Sequence, residues 1–198
     1  MNNFWNERYS QSEYVYGEKP NEFFADELKK LAPGIIILPC EGEGRNAVFA
    51  ASLGWGVLAF DSSEEGKSKA LQLANKRNVK FEYQIADAVN VVYVAESADV
   101  VALIYAHLPA SVRGKLYKKA VKWLKPGGRI ILEALNPDQL ANSSGGPKEL
   151  SMLISLETLK EDFEQLHTEV SFTLQTELAE GEFHKGKANI VRYIGIKK

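Results

Sequence analysis

A chain of 198 residues with 45% hydrophobic and 25% charged residues has the make-up of one globular domain, large enough for a core that needs no staples. Its 24 basic and 26 acidic side chains leave a net charge of −2, so no basic excess points to a nucleic-acid backbone. Cys40 is the single cysteine, which excludes an internal disulfide and a cysteine-based zinc cluster. No apolar run approaches the about 18 residues of a membrane span, and the polar, aromatic start has no signal-peptide core. The expectation is a cytoplasmic protein, monomer or homodimer, with neither a membrane nor a nucleic acid as partner.

The predicted elements follow in chain order. Residues 1–19 form an aromatic arm; residues 20–198 form an α/β core, and together they make a single domain. Pro20 opens a helix carrying Phe23, Phe24, Leu28 and Leu31 on one side, and Pro33-Gly34 stops it. "GIIILP" is wholly apolar, as a central parallel strand covered on both faces must be. "GRNAVFAASLG" is a helix turning Ala47, Val48 and Ala51 to the sheet, and "GVLAFD" is a second buried strand. "SSEEGKSKALQLANKRN" has a serine cap, an acidic first turn and a basic last turn, matching the helix dipole at both ends. "VKFEYQIAD" alternates like a strand near an edge, and "VNVVYVAESA" is expected to be a loop with a short helix. "DVVALIYAHL" is a fourth strand; the helix behind it carries Val112, Leu116, Ala120 and Trp123 or Leu124 as its stripe. Along that helix, Lys115, Lys118, Lys119 and Lys122 mark a solvated face.

"KPGG" makes a turn before "RIILEAL", the fifth strand. "NPDQLANSSGGPKE" is loop-like and "SLETLKEDF" a capped helix. Two alternating strands around Gly181 close the chain as a hairpin, with His184 expected on the surface at its turn. Strand and helix alternating five times, then a hairpin, implies a Rossmann-like, doubly wound α/β sheet of seven strands. It is mostly parallel with right-handed crossovers and has an antiparallel C-terminal hairpin.

A ligand is expected where the first strand meets its helix, at the carboxyl ends of the strands. Gly42 and Gly44 allow a tight turn and a close approach, and Asp61, at the end of the second strand, can take both hydroxyls of a ribose. No G-K-[ST] follows, so a Walker-type phosphate loop is excluded. "GEGRNA" matches the nicotinamide dinucleotide pattern G-x-G-x-x-A, which keeps an NAD(P)-binding oxidoreductase open on this stretch alone.

"ILPCEGEGRNAVFAASLGWGVLAFDSS", "LKPGGRIILEA" and the closing hairpin together resemble the class I S-adenosylmethionine-dependent methyltransferases, over nearly the whole chain. "WNERYSQSEYVYGEKPNEFF", "GEGRNA" and "AHLP" are most similar to its small tellurite-resistance branch. The resemblance implies S-adenosylmethionine as cofactor and a small-molecule methyl acceptor: a thiol, amine, hydroxyl or metalloid anion. A non-catalytic cofactor-binding module is the remaining alternative, because Leu38 stands where the family has an acid and Cys40 where it has its first glycine.

By that resemblance Cys40, Glu41, Gly42 and Gly44 run along the methionine and ribose part of the cofactor, with Glu41 or the arm replacing the missing acid. Asp61 takes the ribose, Ser62 sits beside the adenine, Asp87 and Ala88 contact its amino group, and Tyr105 walls the methyl site. Asp87 is equally suited to cap a turn. His107, just past strand four, either orients or deprotonates the acceptor, or satisfies a helix end or a buried carbonyl. Tyr14, Tyr16, Arg45 and Asn136 complete the expected acceptor pocket, and Trp5, Tyr9, Tyr14 and Tyr16 make the arm a lid. The three histidines are too dispersed to nominate a metal site.

Overall fold

A computed structural model of the protein describes residues 2–198. Seven strands form one sheet in the order β3-β2-β1-β4-β5-β7-β6. β1 (Ile35–Pro39), β2 (Gly56–Asp61), β3 (Glu82–Ile85), β4 (Ala98–Ile104) and β5 (Leu124–Leu135) are parallel. β6 (Leu166–Ala179) and β7 (Lys185–Lys197) are antiparallel, with β7 inserted beside β5. The order reverses between β1 and β4, so the loops after these two strands diverge and leave a crevice at the sheet's carboxyl edge.

The helices behave as their caps dictate. α4 (Glu64–Lys76) starts at Ser63, whose hydroxyl accepts the amide of Gly66, and α6 (Leu156–Asp162) starts at Ser155. α3 (Arg45–Ser52) and α2 (Glu22–Leu28) lie on one face with Phe24, Leu28, Ala47 and Ala50 buried against β1 and its neighbours. α5 (Ala110–Trp123) covers the other face through Leu116, Ala120 and Trp123.

Four expectations change. Residues 2–9 of the arm are a helix, α1 (Asn2–Tyr9), in which Trp5 stacks on Tyr9 one turn later. No helix interrupts residues 89–97, where Val92 and Val94 are exposed and Tyr93 packs against Phe60 and Trp123. "KPGG" bulges within β5 rather than preceding it: Ala98 pairs with Leu124 and Val100 with Arg129, so the intervening residues loop out at Gly127, whose φ is +79°. A short 3₁₀ turn, Pro137–Ala141, stands in the segment expected to be loop, and a second, Leu150–Met152, follows that segment.

Candidate active site

A cavity of about 650 Å³ lies along the carboxyl ends of the parallel strands, a size usual for small-ligand sites. Its floor follows the sheet order: Ala86–Val89 after β3, Asp61 and Ser62 after β2, Cys40 and Glu41 after β1, and Tyr105–Leu108 after β4. The arm (Phe4, Trp5, Arg8, Tyr9, Tyr16), the segment Gly145–Glu149 and the hairpin turn (Phe183, His184) form the rest of the wall.

Asp61 is buried at the end of β2, and its two oxygens accept the amides of Gly42 (3.1 Å) and Ser63 (2.9 Å). Each oxygen keeps a lone pair, so the carboxylate can still receive two hydroxyls. Burial pushes its pKa up against those amides. Glu41, one strand over, accepts the amide of Ala47 at 2.7 Å and is also nine-tenths buried. Burial raises it to about 7, opposed by the Ala47 amide, the charge of Arg45 and hydrogen bonds from Asn46. Cys40 adopts φ +56°, the left-handed region expected of a glycine, and its thiol is pushed up first by burial, then by Asp61 and Glu41; it is a neutral wall group.

Gly42 and Gly44, expected along the cofactor, turn the chain and are not among the residues that line the cavity. A Cβ on Gly44 would lie 2.5 Å from the Cβ of Ala70, and one on Gly42 2.6 Å from the Tyr9 hydroxyl. The glycines let α4 and the arm close in; the contacts fall to Cys40, Glu41 and Glu43 beside them. Ser62, Ala88 and Tyr105 line the cavity. Asp87 does too, while capping the turn through the amides of Val89 and Asn90, and the Asn90 side chain holds its pKa down.

His107 sits in the wall, but both ring nitrogens are taken: one faces the Met152 carbonyl at 2.9 Å and the other accepts the Leu135 amide at 3.3 Å. Burial lowers its pKa to about 4 despite the bond to Met152, with His184 adding to the shift. Of the two roles expected for His107, this geometry matches the second: a buried, neutral tie that satisfies a backbone carbonyl and links two segments. Tyr14 and Asn136, unlike His107, lie outside the cavity. Tyr14 donates to the Lys69 carbonyl, and Asn136 binds Ile190 O and the amide of Asp138. Tyr16 and Arg45 line it.

The hairpin turn brings in residues the sequence reading missed. His184 is buried rather than at the surface, with ring centroids 4.6 Å from Tyr16 and 4.5 Å from Tyr105. One ring nitrogen lies 3.3 Å from Glu180, which also accepts Arg45 at 3.0 Å and Asn21 at 3.1 Å. Burial opposes the ionisation of Glu180, yet the bond from His184 and the Arg45 charge outweigh it and hold the carboxyl at about 2. The one signal in the sequence was Glu180 and His184 four residues apart on a hairpin turn. The arm is bolted down by Glu43, which accepts the amides of Val15 and Tyr16 and pairs with Lys69, itself bonded to Gln11 and Glu13 carbonyls.

Residues 38–128 match the family described as a methyltransferase domain. These residues are a methyltransferase domain. The match runs from the end of β1 to the "KPGG" bulge, covering Glu41, Asp61, Asp87 and His107 and excluding the arm and the hairpin. The dinucleotide reading of "GEGRNA" is set aside by it. No curated protein matches the sequence. Among solved structures, the fold is similar over the whole chain to a protein described by "Conversion of a Disulfide Bond into a Thioacetal Group during Echinomycin Biosynthesis" (17% identity, 92% of that chain, TM-score 0.76). It is similar likewise to TehB from Haemophilus influenzae (18% identity, 100% of this chain and 67% of that chain, TM-score 0.73). A SAM-dependent methyltransferase from Methanosarcina mazei is similar over 90% of this chain and 98% of its own (15% identity, TM-score 0.68). At these identities the likeness is one of fold, and that fold is class I. S-adenosylmethionine is the cofactor of a class I methyltransferase domain. The donor set fits it: a buried carboxylate with free lone pairs for the ribose, acids beside it, and apolar wall atoms from Phe60, Ile104 and Val112. Among the described residues no group of His, Cys, Asp and Glu could hold a metal ion, and no helix is long and apolar enough to cross a membrane.

Proposed function

We propose that the protein transfers the methyl group of S-adenosylmethionine to a small molecule held between the arm and the hairpin turn. The observation that carries this is the His184–Glu180–Arg45 cluster, which adjoins the same cavity as Asp61 and lies largely outside the matched methyltransferase domain. S-adenosylmethionine supplies an electrophilic methyl on a sulfonium, so the protein has to align, dehydrate and manage at most one proton.

The residues divide the work. Asp61 and Glu41 hold the cofactor's polar groups, with Ser62, Asp87 and Ala88 around the adenine. Tyr9, Trp5 and Tyr16 from the arm and the Gly145–Glu149 segment cover the cavity and exclude water. Tyr16 and Tyr105 flank His184, and Glu180, fixed by Arg45, accepts a hydrogen bond from the imidazole's Nδ1–H, which leaves Nε2 as the basic nitrogen. His184 is the general base for an amine or hydroxyl that must lose a proton; a thiolate or metalloid anion needs none.

The test is transfer of labelled methyl from S-adenosylmethionine to a panel of thiols, amines, hydroxyls and metalloid anions. Turnover of any class supports the reading. Binding of S-adenosylhomocysteine with no transfer to any of them would leave a cofactor-binding module in its place.

A further inference from the structure

The cations around the cavity are unequally committed. Its lysine and arginine side chains are Arg8, Arg45 and Lys148. Arg45 is spent on Glu180 and the Tyr16 carbonyl, and Lys148 is exposed and donates to the Asn142 carbonyl. Arg8, in the last turn of α1, is half-buried, and among the described residues it makes no ion pair.

What holds Arg8 is aromatic. Its guanidinium carbon lies 4.1 Å from the centroid of the Phe183 ring at the hairpin turn and 5.0 Å from that of Phe4 on the arm. Such contacts fix the cation without neutralising it, and they leave N–H donors of the planar fork for a carboxylate. Arg8 borders the His184 end of the cavity. Phe183 precedes that histidine in the chain, and the Tyr16 ring lies 4.6 Å from it. Burial pushes the Tyr16 phenol up, and the charge of Arg8 opposes the shift.

The acids of the wall do not answer this charge. Glu43 is consumed by Lys69 and two arm amides, Asp87 by its turn, and Glu149 is exposed and bonded to Ser151. Glu41 and Asp61 stand beyond the ends of β1 and β2 with backbone amides as partners. A cation drawn partly out of water without a counter-ion is costly, and the cost is recovered when an anion docks.

We propose that the methyl acceptor carries a carboxylate remote from its nucleophile, and that Arg8 binds this carboxylate while His184 faces the amine or hydroxyl to be methylated. One free cation matches one negative charge, which selects a carboxylate over a dianionic phosphate. The carboxylate takes no part in the reaction; held at two points, the acceptor presents its nucleophile in one orientation. The inference rests on the methyl-transfer reading above and names the class of acceptor.

The experiment is calorimetric titration of the S-adenosylhomocysteine complex with matched acid and amide pairs: anthranilate and anthranilamide, 4-hydroxybenzoate and 4-hydroxybenzamide, β-alanine and β-alaninamide. The wild type is expected to bind at least one acid about tenfold or more tighter than its amide, as for one charge-assisted fork, and Arg8→Gln to abolish that preference. No preference for the acid in any pair, or a preference that survives Arg8→Gln, overturns the proposal. So does an Arg8→Gln protein that loses S-adenosylhomocysteine affinity but keeps the acid preference, since Arg8 would then hold the cofactor's own carboxylate. The comparison of acid with amide in the wild type needs no variant, and it decides should Arg8→Gln not fold. Acids that bind through Arg8 yet accept no labelled methyl would keep the anion site and count against the methyl-transfer reading. If S-adenosylhomocysteine itself does not bind, the cofactor reading fails, and the same pairs titrated against the unliganded protein still decide Arg8.

Discussion

Cys40 gives a prediction in which the usual ranking of alanine and glycine reverses. Its φ of +56° places an L-residue in the left-handed region, which costs about 1–2 kcal/mol relative to glycine. Cys40→Ala keeps that strain and removes the sulfur. Cys40→Gly removes the sulfur too, relieves the strain, and loses about 0.4–1 kcal/mol through the greater freedom of the unfolded chain. Both variants lose the same thiol contacts, so these cancel in the comparison. The difference favours glycine by roughly 0.5–1 kcal/mol, or about 1–4 °C in Tm for a chain of this size. Urea denaturation monitored by tryptophan fluorescence measures it directly. If Cys40→Ala is as stable as Cys40→Gly, the strain ascribed to this position is absent and the reasoning fails.

His184→Asn should lower the rate with amine or hydroxyl acceptors by about 10²–10⁴ while leaving S-adenosylhomocysteine affinity alone, and an unaltered rate with every acceptor would remove the base from the mechanism. His107 is held at about 4 against an ordinary 6.5, so its contribution is complete above pH 6.5 and is lost as the pH falls towards 4, where the unfolded chain takes up a proton the folded one refuses. The full effect is about 3 kcal/mol, and His107→Gln should show a correspondingly shallower loss of stability between pH 6.5 and 4 in urea melts; parallel curves would contradict it. Lys69→Met removes the ties to Gln11, Glu13 and Glu43, so protease should cut residues 10–18 faster, and S-adenosylhomocysteine should restore protection; unchanged cleavage would show that the arm is held by other contacts.

The framework was legible because its signals are local. "GIIILP" is apolar throughout since β1 is buried on both faces, Ser63 and Ser155 cap the helices they precede, and Gly181 turns the hairpin that inserts β7 beside β5. Asp61 followed from its position at a strand end. The acceptor side was not legible, because long-range packing decides it. His184 looks like a surface turn residue until Gly181 packs against Val15 and Tyr16, which brings the arm over the hairpin turn. Tyr14 and Asn136 have the chemistry of pocket residues, yet Lys69 O and Ile190 O claim them. α1 escaped notice because its eight residues carry no broad apolar stripe, only the Trp5–Tyr9 pair at helical spacing. Gly42 and Gly44 make the turn, and their missing side chains make room for Tyr9 and Ala70.

The central claim is that this cavity holds an adenosylmethionine cofactor by its ribose and amino-acid ends. Calorimetric titration of the wild type and Asp61→Ala with S-adenosylhomocysteine and with NAD tests it most directly. The account predicts one-to-one binding of S-adenosylhomocysteine, weakened by roughly 2–4 kcal/mol in Asp61→Ala through two lost bonds to a charged group, and no binding of NAD. Binding of NAD without S-adenosylhomocysteine, or an Asp61→Ala affinity equal to that of the wild type, would contradict it.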